Sequence, residues 1–311
     1  MTVTVQKTGY TVSTPPTVTI YYAGNGWKQA TTSPSFSPNA IAYRNGRFVA
    51  VGNASHSAWS TNGITWNDVN MSITAIFTFT AIAEGSTHLV AVGPNGRIAL
   101  TENGTSWSFV SPVPFSDTIY GVTYGGGKVL VVGASGKAAY FIDSLAISAL
   151  TVVDDMKFGT SNIYDAAYGG GKFVAVGASG KAAYSSDGIT WTAVSDTTFG
   201  NSTINTITYG NGKFVAAGQG GKAAYSSDGI TWTAVTDTTF GFSGIKDIAY
   251  GGGKFVAVSE NANTAYSTDG ITWTAIEDYF YSSYDGRTRF SSITYGRDRF
   301  VAGDTAYWIT P

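Results

Sequence analysis

The sequence predicts an all-β repeat fold, on three observations. The first is internal copying: the 33 residues from Tyr168 to Gly200 recur as Tyr209 to Gly241 with five differences. The second is a period. An apolar anchor within Gly-Lys-Phe-Val-Ala-Val-Gly, or a variant of it, falls at Phe48, Leu89, Val129, Phe173, Phe214, Phe255 and Phe300, 40 to 45 residues apart. The third is composition: 39 glycines punctuate runs of Val, Ile, Thr, Tyr and Phe, and charged residues are only 12% of the chain, which leaves helices little to work with. A period near 40 with several short strands per unit marks a β-propeller blade. The expectation is a seven-bladed β-propeller of four-stranded antiparallel blades.

One copy shows why each element forms. Ile163 to Tyr168 reads as a first strand, and Gly169-Gly170-Gly171 supplies the positive backbone angles of a tight hairpin. Lys172 to Val176 is apolar after its first residue, as suits a strand buried on both faces. Gly177 to Gly180 turns the chain, and Lys181 to Ser185 makes a third strand. Asp187-Gly188 turns again, and Thr190 to Val194 makes a fourth. The polar segment Ser195 to Thr203 then crosses to the next blade. A Trp follows the anchor by 18 positions at Trp66, Trp107, Trp191, Trp232 and Trp273, whereas the third copy has Ile147 there.

The seventh copy stops at Pro311, before its fourth strand. Gly24-Asn25-Gly26-Trp27 near the start resembles the missing turn and Trp. Residues 19–311 are therefore expected to form the propeller, with residues around 19–32 completing blade seven and closing the ring. Residues 1–18 are read as a separate Thr/Val-rich arm. Ring closure removes exposed sheet edges.

A formal charge of -2 offers a polyanion no global attraction, so nucleic acid is not an expected partner. With no cysteine, neither disulfides nor thiolate metal sites hold the fold. No segment has the pattern of a signal peptide or the length of a membrane span, so membrane insertion is not expected.

The turn Ser185-Ser186-Asp187-Gly188-Ile189-Thr190-Trp191 recurs at Ser226 to Trp232, at Ser267 to Trp273 and, with Asn62 for Asp, at Ser60 to Trp66. It resembles the Asp-box, or BNR, repeat of the sialidase-like propellers, and the resemblance covers most of the chain. In that family the box lies at the outer edge, away from the active site, so the resemblance implies structure. The carboxylates of Asp187, Asp228 and Asp269 are read as caps of their own turns. Each turn supplies too few ligands for calcium, so no metal or cofactor is expected.

A sialidase-like activity would imply three clustered arginines and a pair of acids. Arg44, Arg47, Arg297 and Arg299 occupy the first hairpin turns, leaving only Arg97, Arg287 and Arg289 for the opposite face. Glu260 with Glu277 or Asp278 is the one acid pairing compatible with glycoside hydrolysis. His56 and His88 stand at unrelated repeat positions, and the Gly-rich turns precede strands, not phosphate-cradling helices. The chain is read as a non-enzyme.

Function is expected in the loops that vary between copies. A recurring Phe at Phe36, Phe77, Phe115, Phe158, Phe199, Phe240 and Phe280 is read as packing between blades. The loop from Glu277 to Phe290 is unlike the others and gathers Tyr279, Tyr281, Tyr284, Arg287 and Arg289, which are the candidate ligand- or partner-binding residues. The alternative is that this loop plugs the ring closure. The repeats also look like propellers of bacteriophage virions. That resemblance implies a tail or capsid-surface protein, located in the virion, that contacts host-surface glycan and joins virion or surface-assembly proteins through the N-terminal arm. A free multivalent lectin and a sialidase-like glycosidase are the alternative readings.

Overall fold

The computed structural model describes residues 20–22, 27–29, 36, 38–71, 78–110, 116–142, 150–276, 290–304 and 308–309. The arm at 1–18, Ile147 and the candidate loop residues Tyr279, Tyr281, Tyr284, Arg287 and Arg289 lie outside them.

Six four-stranded antiparallel sheets are present among the described residues, each running in chain order from an inner to an outer strand. In the fourth blade these strands are Ile163–Gly169, Lys172–Gly177, Ala182–Ser185 and Thr192–Ala193. The third blade also completes its fourth strand, Thr151–Val152, so the missing Trp does not cost it that strand.

Seven four-stranded blades are the sequence expectation; six are found, and the remaining sheet corrects it. That sheet has five strands. Phe290–Gly296 pairs with Arg299–Asp304, as in the other blades. The other edge of Arg299–Asp304 is then shared: Ile20 and Ile309 both stand opposite Ala302. Ile20–Tyr22 in turn pairs with Trp27–Gln29. Two short strands from opposite ends of the chain thus divide one edge that a single third strand occupies in the other blades.

The inner strands pack side by side in a closed circuit, with Phe290–Gly296 of the closing sheet against Pro38–Arg44 of the first blade. The second strands carry the core. Phe48, Leu89, Val129, Phe173, Phe214, Phe255 and Phe300 are all buried, as are the residues that follow them on both faces. Burying each such side chain contributes roughly 1.5 to 3 kcal/mol. Phe36, Phe158, Phe199 and Phe240 are buried too, in agreement with the packing role, while Phe77, Phe115 and Phe280 lie outside the described residues.

Adjacent blades are keyed together at the end of each inner strand. A Cβ built on Gly125, Gly169, Gly210, Gly251 or Gly296 would fall inside the ring of Tyr168, Tyr209, Tyr250, Tyr295 or Tyr43 of the next blade. The last of these contacts joins the closing sheet to the first blade. The junction between the first and second blades lacks the pair, because Arg44 replaces the Gly and Glu84 the Tyr. There the Arg44 guanidinium donates to the carbonyls of Gly85 and Ser86 at 2.6 and 2.8 Å and meets Glu84 at 3.4 Å. A second key lies further out: Gly63, Gly104, Gly229 and Gly270 leave room for Val301, Val49, Val174 and Val215 of the preceding sheet.

Gly169→Ala is expected to destabilise the fold by about 1 to 3 kcal/mol, since the methyl must displace a packed ring. Gly159→Ala is the control. It has open space and a φ of +58°, so it should cost only the left-handed backbone penalty of about 1 to 2 kcal/mol. Urea unfolding of both variants, with Gly169→Ala/Tyr209→Ala expected to recover less than it loses, checks the keyed contact.

Candidate functional site

Antiparallel order fixes two faces. The hairpin turns share one with the Asp-Gly turns, called Asp-box turns below after the repeat they resemble; the turns after the second strands and the blade-to-blade loops share the other, the loop face. The inner strands enclose a central channel of about 530 Å³.

On the Asp-box face, the polar side chains are committed to structure. The Asp187 Oδ1 accepts the N–H groups of Ile189 and Thr190, both at 2.8 Å, and the Ser185 hydroxyl at 2.8 Å. Asp228 and Asp269 repeat this pattern, and Asn62 reproduces its backbone part. The backbone N–H bonds from Ile189 and Thr190 hold the Asp187 carboxyl below the usual carboxylate range. For Asp269, burial opposes its hydrogen bonds, yet the bonds prevail and bring it to about 2. The hairpin arginines reach the next blade's box. Arg47 donates to the Asn103 carbonyl at 3.2 Å, Arg297 to that of Thr61 at 2.5 Å, and Arg299 to that of Asn62 at 2.8 Å.

At the loop face, Lys181 and Lys222 donate to the carbonyls of Phe158 and Phe199 at 2.9 and 3.0 Å. Thr197 and Thr238 donate to the carbonyls of Gly180 and Gly221, both at 2.6 Å. These recurring polar residues therefore tie loop to turn. The features outside these ties are aromatic: Tyr120 and Tyr164, one repeat position in two adjacent blades, face each other at the channel mouth with ring centroids 5.3 Å apart, and Phe242 is 98% exposed. Glu260 pairs with Lys246 at 3.0 Å; its proposed acid partners Glu277 and Asp278 lie outside the described residues. His56 packs on Phe36, while His88 sits across the ring face against Thr87 and Glu102. Among the described residues no three His, Cys, Asp or Glu side chains gather as a metal site.

The channel wall holds what sequence reasoning missed. Each inner strand is a sheet edge whose free N–H groups face the channel and need partners. Asp165 accepts the N–H of Ala166 at 2.8 Å and that of Ile207, on the next blade, at 2.9 Å. Asp247 does the same for Ile248 and for Ile293 of the closing sheet, both at 2.8 Å. Nearer the mouth, Asn39 and Asn205 donate across blade junctions to the carbonyls of Phe79 and Ile245 at 2.7 and 2.8 Å. Both channel aspartates keep part of their surface open to the channel while protein surrounds them. Burial pushes Asp165 up to about 7, opposed by the Ile207 N–H and helped by the nearby Asp247 charge. Asp247 is raised by burial as well. The available signal was a carboxylate in an otherwise apolar strand, Ile-Tyr-Asp-Ala-Ala-Tyr and Ile-Lys-Asp-Ile-Ala-Tyr, at one repeat position.

The sheets, their radial order and the channel define a β-propeller. No protein-family model and no curated protein matches the sequence. Among solved structures, the chain is similar to YCF48 from Cyanidioschyzon merolae, with a TM-score of 0.68 at 15% identity over 92% of this chain and 98% of that one. It is also similar to YCF48 bound to D1 peptide, with a TM-score of 0.66 at 16% identity over 95% and 96%. Sqt1 from Saccharomyces cerevisiae gives 0.61 at 9% identity over 87% and 80%. Likeness at these identities shows the propeller fold.

Asp187→Ala should cost about 0.5 to 2 kcal/mol, the range of a lost side-chain cap. Added calcium should leave the melting temperature of both proteins unchanged, because hydrogen bonds already fill the inward oxygen. A depressed carboxyl stabilises above its unfolded value and loses that contribution as pH falls through the folded one. Thermal melts should therefore show the Asp187→Ala deficit shrinking from pH 5 to pH 2.

Proposed function

We propose that this protein is a non-catalytic docking module that holds a segment of a partner protein on its loop face. The observation that carries the reading is the setting of Phe242, Tyr120 and Tyr164. They are exposed or half-buried aromatic side chains on the face where recurring polar groups are otherwise committed to structure. Aromatic rings with polar neighbours supply contact area at small cost in side-chain freedom. A propeller of the same fold bound to D1 peptide supports a peptide as the ligand class.

The virion reading is a second proposal on the same face. The ends of its candidate loop, Ile276 and Phe290, close the sixth blade and open the closing sheet, the position of a blade-to-blade connection. A tail or capsid-surface protein would use Tyr279, Tyr281, Tyr284, Arg287 and Arg289 there to contact host glycan. The turn motif and the resemblance to virion propellers support it, as they support the kinship with Asp-box proteins.

Selection of a random-peptide display library on the immobilised protein, beside a glycan array, separates the two. The docking reading expects peptides whose affinity drops tenfold or more, about 1.4 kcal/mol, in Tyr120→Ala/Tyr164→Ala/Phe242→Ala. Ile189→Ser/Ile230→Ser on the Asp-box face should leave them unchanged. Array binding lost in Tyr279→Ala/Tyr281→Ala/Tyr284→Ala, with no peptide enriched, would replace docking by glycan attachment.

A further inference from the structure

We propose that Asp165, Thr206 and Asp247 share one proton and so form a latch that ties the fourth, fifth and sixth blades to the closing sheet and loosens when that proton leaves. The three residues occupy one repeat position, each just past the irregularity in its inner strand. The Thr206 hydroxyl stands between the two carboxyl groups and donates to Asp247 Oδ1 at 3.1 Å, while also contacting Asp165. A hydroxyl has a single proton to give. Once that proton points at Asp247, Thr206 turns a lone pair toward Asp165, and a protonated Asp165 meets that oxygen and the Asp247 charge better than an ionised one. Asp247 receives N–H groups from Ile248 and Ile293 and a hydroxyl from Ser292, a donor set that suits its ionised form. The balance is one proton for two carboxyl groups.

The surrounding charges agree. Lys246 is the one ammonium group lining the channel among the described residues, and it is paired with Glu260. The other titratable side chains on the strands packed against the pair are tyrosines, Tyr164 and Tyr168 beside Asp165 and Tyr209, Tyr250 and Tyr295 on the following strands. Tyr120 lies on the strand packed against the Asp165 strand, and across the ring Tyr43 and Glu84 complete the lining, with Glu84 against Arg44. Among the described residues no cation is placed to balance a second charge, so loss of the proton leaves two carboxylates facing one hydroxyl. Asp247 directly holds Ile293, so the loosened region includes the closing sheet.

The sign follows from linkage. Asp165 binds its proton more tightly folded than unfolded, with the folded value pushed up to about 7. The latch contribution is complete below the unfolded carboxyl range and is lost as pH rises through about 7. One proton held only by the folded chain lowers the folding equilibrium constant by about tenfold per pH unit across that window. The Asp-box carboxyls, shifted the other way, act below it.

The test is a ¹³Cγ titration of the aspartates of the full chain by NMR, with urea unfolding from pH 5 to pH 8. The expected result is an Asp165 midpoint near 7 that moves down in Asp247→Asn, and a fall in stability with pH that flattens in Asp165→Asn. A wild-type Asp165 that titrates in the ordinary carboxyl range overturns the proposal, as does an Asp165→Asn variant that keeps the wild-type slope. Should either variant fail to fold, the wild-type midpoint alone decides.

Discussion

A tyrosine ring occupying the place of an absent side chain is the contact on which the ring depends. Among the described residues no strand ladder joins one blade's sheet to the next, and backbone bonds between blades are isolated ones such as that from the Phe79 N–H to the Gly52 carbonyl, so packing must set the angle and distance at the junctions. The Gly that ends an inner strand lets the next blade's Tyr lie flat on the backbone, and this recurs from the third blade through the closing sheet and on to the first. Because Tyr and Gly are consecutive in one strand, each blade both gives and receives the key. Close packing of this kind tolerates little change in volume, and the exception shows it. Where Arg44 and Glu84 replace the pair, a clasp of guanidinium on carbonyls and on that carboxylate fills the junction instead.

A second constraint is the satisfaction of backbone polar groups. Every inner strand exposes one edge to the channel and every outer turn exposes N–H groups to solvent. The chain meets both needs with short side chains, using Asp187, Asp228 and Asp269 outside and Asp165, Asp247 and Asn205 inside. The same residue type takes opposite character in the two places. Exposed carboxyls that accept several donors are pulled down, and channel carboxyls are pushed up by burial despite their donors.

This division bears on function. Residues that recur, such as Lys181 with Lys222 and Thr197 with Thr238, hold turns and loops in place. Phe242 does not recur and faces solvent, and the Tyr120–Tyr164 pair, a repeat position filled by Tyr in only two adjacent blades, stands at the channel mouth. A ring of near-identical units thus presents an asymmetric surface, which is what recognition of a single partner requires.

The near-verbatim copy at 168–200 and 209–241, the anchor period and the turn glycines determined the all-β class, the four-stranded meander and the capping role of the Asp-box, because these are local matters of strand period and turn chemistry. The packing of Phe158, Phe199 and Phe240 was legible for the same reason. Only the tertiary structure decided the rest. That Ile20 and Ile309 meet across Ala302, and that the closing sheet therefore has five strands instead of four, depends on pairing between segments at opposite ends of the chain, which no local pattern encodes. The Tyr–Gly keys were visible as a dipeptide but not as a contact. Asp165 and Asp247, 82 positions apart in sequence, become a coupled pair only when ring closure brings their strands around one channel and burial, a property of the assembled fold, alters their acidity.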